Sequence, residues 1–432
     1  AELLTRHGND VAVIETDRQR LRDVGDRLDV LVVEGSGTHP HVLDQAGLAK
    51  TDMMVAVTSN DEVNLIAALL ARQAGVERTV ARIEAESLRG RDAQQLREAI
   101  GADLIIDPDA ETAAEAIDLL EAPGATEIAQ LAGGEVLVIG TILSADAPLV
   151  GQTLSAIGAK YEPDWDFLVA ARTRAGETVI PRADDTLLAD DHIYMVAKRR
   201  AKRDVLKLLG LQSGKHRRVL LLGGGRTAEL VARSVADRSG AVTLIERNSA
   251  RARELAETLD GVLVIEGDIT DAELLAAEEA GSYDAVLALT GHDDANILAC
   301  LYAKSLGASE TIAVLHRLAL RELLEEVGVD VALSPRTASA NGVLRFVRGN
   351  VAKVATFLAA DFEVIELEVT EGSAADGTFI CDLALPKECL IGAIVRDGKA
   401  QIGRGRSELR KRDHVVVVVR PENVDAVRAV LG

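Results

Sequence analysis

The residues of this sequence best arranged for chemistry are glycines. Val219-Leu-Leu-Leu-Gly223-Gly224-Gly225-Arg226-Thr227-Ala228 sets G-x-G-x-x-A between an apolar, strand-like run and an amphipathic stretch. Glycines at those positions let a backbone turn tightly and approach a pyrophosphate, whose charge then rests on the amides opening the next helix. The same spacing also occurs in plain βα turns that bind nothing. Here Glu246 ends the following strand-like run, 21 residues beyond Gly225, where a carboxylate can accept hydrogen bonds from ribose hydroxyls. Loop and acid together predict nucleotide binding. Arg226, inside the loop, is placed either to meet phosphate or to face solvent.

Turnover would need more. A dehydrogenase requires a proton donor or hydride-transfer constellation facing its cofactor. His39 and His41 stand in Thr-His-Pro-His, but the corresponding stretch later in the chain reads Thr-Asp-Ala-Glu. There is no Gly-x-Ser-x-Gly elbow, His-Glu-x-x-His helix or Walker lysine. No catalytic or metal-ligating residue is assigned, and binding without turnover is expected. Cys300, Cys381 and Cys389 sit in apolar stretches without a Cys-x-x-Cys pair, so buried, reduced thiols are expected.

The elements that must position these residues occur twice. Val11-Ala-Val-Ile-Glu15 parallels Val242-Thr-Leu-Ile-Glu246, and Leu31-Val-Val-Glu-Gly35 parallels Leu263-Val-Ile-Glu-Gly267. Asp52-Met-Met-Val-Ala-Val-Thr58 parallels Asp284-Ala-Val-Leu-Ala-Leu-Thr290, and Asp61-Glu-Val-Asn64 parallels Asp293-Asp-Ala-Asn296. The offset stays at 231–232 residues, so a whole domain is duplicated. Each copy alternates short β-rich runs with amphipathic stretches, the pattern of a parallel sheet covered by helices. In the first copy strands are expected at Val11–Ile14, Val30–Val33, Met53–Val57 and Thr79–Arg82. Helices are expected at Arg18–Arg27, His41–Ala46, Asn64–Ala74 and Ala93–Ile100. The second copy repeats the strands at Val219–Leu222, Val242–Ile245, Val262–Ile265, Ala285–Leu289 and Thr311–Val314. Helices Asn64–Ala74 and Asn296–Gly307 are apolar on more than one side, as sheet cover or as contact with another copy.

A β-rich module follows each copy. Val136–Leu143, Gly151-Gln-Thr-Leu, Phe167–Arg172, Thr178–Pro181 and Asp191–Ala197 read as strands. Val364–Val369, Gly377-Thr-Phe, Leu390–Arg396, Ala400–Gly403 and Asp413–Val419 are their counterparts, and an Asp-His pair opens both final strands. A linker is expected at Gly210–Lys215. The fold class is α/β, with two Rossmann-like parallel-sheet domains, each followed by a small α+β domain. The expected boundaries are 1–120, 125–209, 216–350 and 355–432.

Composition excludes several functions. The net charge of −21 argues against DNA, RNA or anionic lipid as a ligand, since neutralising phosphate needs basic patches, so no nucleic-acid partner is expected. Aromatic residues, at 2%, are too few for base-stacking platforms. No apolar run spans a bilayer and no signal peptide opens the sequence, which fits a cytoplasmic location. Projecting Gly223 back by 231 residues falls before Ala1, and the sequence starts without Met. Ala1–His7 therefore reads as the helix after a missing first strand and phosphate loop, which would weaken nucleotide binding in the first copy.

Gly35-Ser-Gly-Thr, Leu43-Asp-Gln-Ala-Gly47 and Ala56-Val-Thr-Ser-Asn-Asp61-Glu-Val-Asn64 resemble the nucleotide-binding domain of regulators of potassium conductance. The tandem order, with a β-rich module after each copy, is similar to the potassium-uptake regulators of that family over essentially the whole chain. The resemblance implies binding of NAD(H) or ATP/ADP. It also implies a homo-oligomeric ring, peripheral on the inner face of the membrane beneath an embedded potassium transporter subunit, and the duplication suggests a symmetric assembly of four chains. By resemblance Glu15 takes the adenosine ribose and Ser36 lies beside the adenine. Thr58 and Ser59 lie by the phosphate or second ribose, and Arg82 meets a terminal phosphate. In the second copy the resemblance gives Gly223, Gly224, Gly225, Arg226 and Thr227 as phosphate loop and Glu246 as ribose acid. Asp268 is then the adenine-side residue, and Leu289 and Thr290 line the cleft. Leu315-His316-Arg317 departs from the simple Ala-Arg of the first copy, which puts a terminal-phosphate arginine there in question. An NAD-dependent oxidoreductase, or a nucleotide-sensing scaffold without a membrane partner, remains the alternative.

Overall fold

The computed structural model describes residues 1–6, 9–84, 100–162, 165–211, 218–237, 240–317, 320, 324, 327–347, 351–356 and 362–432. The chain forms two compact units, Ala1–Pro108 with Ala338–Gly349, and Asp109–Thr337 with Asn350–Gly432. No helix among the described residues is long and apolar enough to cross a membrane.

The first unit holds the first α/β copy. Its elements are α1 (Glu2–Arg6), β1 (Ala12–Glu15), α2 (Arg18–Arg27), β2 (Leu31–Glu34), α3 (Pro40–Gln45), β3 (Met53–Ala56), α4 (Asp61–Gln73), β4 (Arg78–Arg82) and β5 (Leu104–Ile106). Asp17 starts α2 by accepting the Gln19 and Arg20 amides, and Asn60 starts α4 by accepting that of Val63. Strands β1 and β2 pair in parallel, and β3-β4-β5 form a separate parallel set. Val80 and Ile106 pack with Val343, and Ala68 packs with Ala81 and Ala102. Strand β5 is three residues long, too short for a period to show in the sequence. The helix expected at Ala93–Ile100 lies, except for Ile100, outside the described residues.

The second unit opens with α5 (Pro108–Leu120) and a small module of β6 (Glu127–Leu131), β7 (Val136–Ile142), α6 (Leu154–Tyr161), β8 (Phe167–Arg174), β9 (Glu177–Val179), β10 (His192–Lys198) and α7 (Lys202–Leu208). The second α/β copy follows as β11 (Arg218–Leu222), α8 (Arg226–Ala236), β12 (Ala241–Glu246), α9 (Ser249–Thr258), β13 (Val262–Glu266), α10 (Ala272–Ala277), β14 (Ala285–Ala288), α11 (Asp293–Leu306), β15 (Glu310–Val314) and β16 (Val331–Leu333); α12 (Pro335–Val347) comes next in the chain and from Ala338 onward belongs to the first unit. The last module contains β17 (Val351–Thr356), β18 (Glu363–Glu368), β19 (Cys389–Arg396), β20 (Lys399–Ile402), β21 (His414–Val419) and α13 (Val424–Leu431).

The second copy is one parallel sheet in the order β13-β12-β11-β14-β15-β16. Val219, Leu220, Leu221 and Leu222 are all fully buried, as a central strand covered on both faces must be. The strand order reverses between β11 and β14, which puts the carboxyl ends of those strands at the topological switch point. In the first copy the matching sets β1-β2 and β3-β4-β5 have no strand joining them among the described residues.

Both small modules are antiparallel sheets with one order, β6-β7-β10-β8-β9 and β17-β18-β21-β19-β20. Their shared turn has a shared cause. Buried Asp191 accepts both guanidinium donors of Arg174 (2.5 and 2.7 Å) and the Leu188 amide. Buried Asp413 likewise accepts Arg396 (2.7 and 2.6 Å) and the Arg410 amide. Burial opposes the Asp191 charge, but the bonds from Arg174 and the Leu188 amide win and hold its carboxyl below the usual range. The two sheets share an apolar core of Val138, Ala170, Tyr194, Phe362, Val364 and Val418. Gly392 allows their close approach, since a Cβ there would meet Val196 Cγ2 at 2.9 Å.

Two expectations are corrected here. Gly151-Gln-Thr-Leu is not a strand: Thr153 makes one isolated bridge to Thr186, then caps α6 by accepting the Ala156 amide. Gly377-Thr-Phe is likewise not a strand: Phe379 makes an isolated bridge to Glu408, and Gly377 and Thr378 exchange backbone hydrogen bonds with Leu409. Of the cysteines, Cys300 is buried and Cys389 half-buried, but Cys381 is exposed on the short turn Ile380–Asp382, outside the sheet.

Helix α5 carries a titrating group of consequence. Burial first, then the neighbouring carboxylates of Glu127, Asp118 and Glu111, push the Glu115 carboxyl up to about 8. Tyr194 and Gln130 hold Glu127 and Asp118 by hydrogen bonds of 2.6 and 2.5 Å. A carboxyl raised in the fold keeps its proton while the unfolded chain loses it, so its contribution is full below about pH 4.5 and lost as pH rises through 8. Urea unfolding of wild type and Glu115→Gln is expected to diverge from pH 5 to pH 8, the variant becoming more stable relative to wild type by about 3–4 kcal/mol. Parallel pH profiles would contradict this.

Candidate functional site

The glycine loop lies between the end of β11 and the start of α8, at the switch point of the second sheet. Gly223 has φ +102°, in the left-handed region that glycine adopts without cost. A Cβ there would fall 2.6 Å from Thr290 Cγ2, so the loop passes directly over the end of β14. At Gly224 a Cβ would meet Leu255 Cδ1 at 2.6 Å and Glu246 Oε2 at 2.9 Å. Gly225 is the N-cap of α8 and supplies no side chain to the helix amides. A helix end of this kind can receive an anion.

Glu246 ends β12 beside the loop. Its Oε2 accepts the Gly224 amide at 2.6 Å and its Oε1 accepts the Asn248 amide at 2.6 Å. Gly267, after β13, donates its amide to the Glu246 carbonyl at 3.0 Å. The next residue, Asp268, accepts the Thr270 amide and hydroxyl at 2.9 and 2.8 Å. Those two bonds hold its carboxyl below the usual range. Arg251 braces the loop from α9: its Nε donates to the Gly224 carbonyl (3.0 Å) and its Nη2 to Glu229 (2.6 Å). Burial works against the Glu229 charge, but Arg233 and Arg251 outweigh it and keep that carboxyl low.

Gly223, Gly224, Gly225, Glu246, Leu289 and Thr290 are thus brought together, with Arg226 and Thr227 in the first turn of α8 and Asp268 one strand away. The Thr227 hydroxyl donates to Asp109 Oδ1 on α5 at 2.6 Å. Gly223 and Gly224, where a side chain would clash or strain, and Gly225 at the helix N-cap face an acid that already holds a loop amide, and together fit a phosphate-and-ribose cradle. A separate cavity of about 290 Å³, lined by Thr370, Asp425 and Arg428 among others, lies on the last module and includes none of these residues.

The first copy repeats the frame without the loop. Glu15 Oε1 accepts the Thr16 and Asp17 amides at 2.7 and 3.0 Å, and the Glu15 carbonyl accepts the Gly35 amide. Ser36 follows, its hydroxyl 2.9 Å from that of Thr38. A Cβ at Gly37 would lie 3.5 Å from that of Ala67 on α4, so this turn reaches the helix after Thr58. Ser59 is exposed at the end of β3. Arg82 ends β4 paired with Glu84.

Two residues central to this frame were not assigned roles from the sequence. Buried Asn64 accepts the Thr58 amide and hydroxyl (2.8 and 2.7 Å) and donates to the Thr58 and Arg82 carbonyls (both 2.9 Å). Buried Asn296 does the same for Thr290 (3.1, 2.6 and 2.8 Å) and the Val314 carbonyl (2.9 Å). Each asparagine ties two strand ends together at the mouth of the cleft. Their recurrence at the 232-residue offset was the available signal. The register also places Val314, not Arg317, opposite Arg82. Arg317 instead pairs with Asp293 and Asp294. Among the described residues no group of three or more His, Cys, Asp or Glu is placed to hold a metal ion.

The TrkA-N domain model matches residues 1–108 and 219–335, and the TrkA-C domain model matches 132–210 and 364–432. The Trk system potassium uptake protein TrkA of Halomonas elongata is 34% identical, over 97% of this chain and 92% of its own length. The TrkA homolog of Archaeoglobus fulgidus is 34% identical over 98% and 94%. Among solved structures, the GsuK channel bound to NAD aligns with a TM-score of 0.61 at 17% identity, covering 100% of this chain and 76% of that one. The GsuK RCK domain aligns with a TM-score of 0.59, also at 17% identity, covering 100% and 93%. Those structures share the fold, and the sequence relatives go further: the chain belongs to the TrkA family of Trk system potassium uptake proteins.

Proposed function

We propose that this chain is the nucleotide-sensing regulatory subunit of a Trk-type potassium uptake system. It binds NAD(H) or ATP/ADP at its α/β copies and gates a membrane-embedded potassium transporter from the cytoplasmic face, as a homo-oligomeric ring. The observation that carries the reading is the Glu246 carboxylate on the Gly224 amide at 2.6 Å, beside the glycine-capped N-terminus of α8. The loop amides and helix end receive phosphate, and the carboxylate exchanges its amide for ribose hydroxyls. The relative whose structure carries NAD supports the choice of ligand class. Ligand and gate are coupled only if two shapes of the assembly hold the nucleotide with different affinity.

The test is potassium uptake into vesicles carrying the transporter, with and without this chain. Wild type is expected to make uptake respond to added NADH or ATP. Glu246→Ala is expected to need about tenfold more nucleotide for the same response. Uptake indifferent to this chain, or hydride transfer by the isolated chain, would favour the scaffold or oxidoreductase readings respectively.

A further inference from the structure

We propose that Asp109 sets the charge preference of the second-copy site, disfavouring ligands that bring more phosphate charge. The inference rests on the nucleotide reading of that site and assigns a specificity residue within it.

Thr227 is the second residue of α8, whose first-turn amides form the anion-receiving end of the loop. Its hydroxyl donates to Asp109 Oδ1 at 2.6 Å. Asp109 comes from α5, 118 positions earlier in the chain. A carboxylate is thus fixed beside the place where phosphate would rest, and a helix N-terminus is where added negative charge is felt most strongly. Glu246 lies on the Gly224 amide, and Glu229 in the same first turn is matched by Arg233 and Arg251. Arg251 is itself engaged by Glu229, Glu254 and the Gly224 carbonyl. A dinucleotide presents its pyrophosphate as a diester, whereas a nucleoside triphosphate adds a terminal, more highly charged group. Asp109 therefore penalises the triphosphate more.

Substitution separates charge from structure. Asp109→Asn keeps an oxygen that can accept the Thr227 hydroxyl but removes the charge, and Asp109→Glu keeps the charge. NADH and ATP are titrated calorimetrically into the full-length chain carrying each substitution, and binding lost in a Glu246→Ala background is assigned to the second site. The expected result is that Asp109→Asn tightens ATP about tenfold and NADH about twofold, while Asp109→Glu leaves the wild-type ratio. An unchanged ratio in Asp109→Asn, with wild type still binding, overturns the role of Asp109 alone. Wild type binding neither ligand at the Glu246-dependent site overturns this role together with the nucleotide reading on which it rests.

Discussion

Gly223→Val is expected to abolish nucleotide binding by the second copy, weakening it at least about a hundredfold. Two effects add at one position. A β-branched residue at φ +102° is strained by about 1–3 kcal/mol, and its Cβ would start 2.6 Å from Thr290 Cγ2. Neither partner has a flexible end with which to yield. The loop must lift from β14, and its amides no longer converge on the end of α8. Because the strain is local, the sheet persists and the thermal midpoint drops by only a few degrees. Retained affinity in a folded Gly223→Val protein would show that the loop is an ordinary turn.

Asn296→Ala is expected to be among the most damaging single changes to stability, costing about 3–4 kcal/mol. The side chain is fully buried, and its four bonds serve the Thr290 amide, hydroxyl and carbonyl and the Val314 carbonyl. Alanine removes all of them and leaves the Thr290 amide and the Val314 carbonyl without this partner, inside the sheet. Asn296→Asp tests the directionality: it can still accept, but it cannot donate to the two carbonyls, so it should also fail. Urea unfolding of the second-copy transition reads the loss as a lower midpoint at unchanged slope. A loss below about 0.5 kcal/mol would contradict the strand-clamping role. The same change at Asn64 should weaken the first copy.

Much of this was legible in the sequence because duplication printed it twice. Positions such as Glu15 with Glu246, Thr58 with Thr290 and Asp191 with Asp413 carry constraints common to both halves, and the structure gives them matching bonds. Other features were harder to see. Strands β6 and β17 escaped notice because each is only five or six residues long and mixed in polarity. Thr153 read as part of a strand because it is β-branched, but its hydroxyl starts a helix. The contact of Asp109 with Thr227 leaves no local trace, since it depends on how α5 packs within the second unit. Glu115 is equally silent: nothing in its neighbours along the chain announces that Glu127 will lie beside it.

The central claim is that this chain holds a nucleotide and does not consume it. Calorimetric titration of NADH into the full-length protein, with the ligand recovered afterwards and its absorbance read, tests that most directly. The account predicts saturable binding that Gly223→Val reduces, and NADH returned unoxidised. Absence of saturable binding, or NADH returned oxidised, would contradict it.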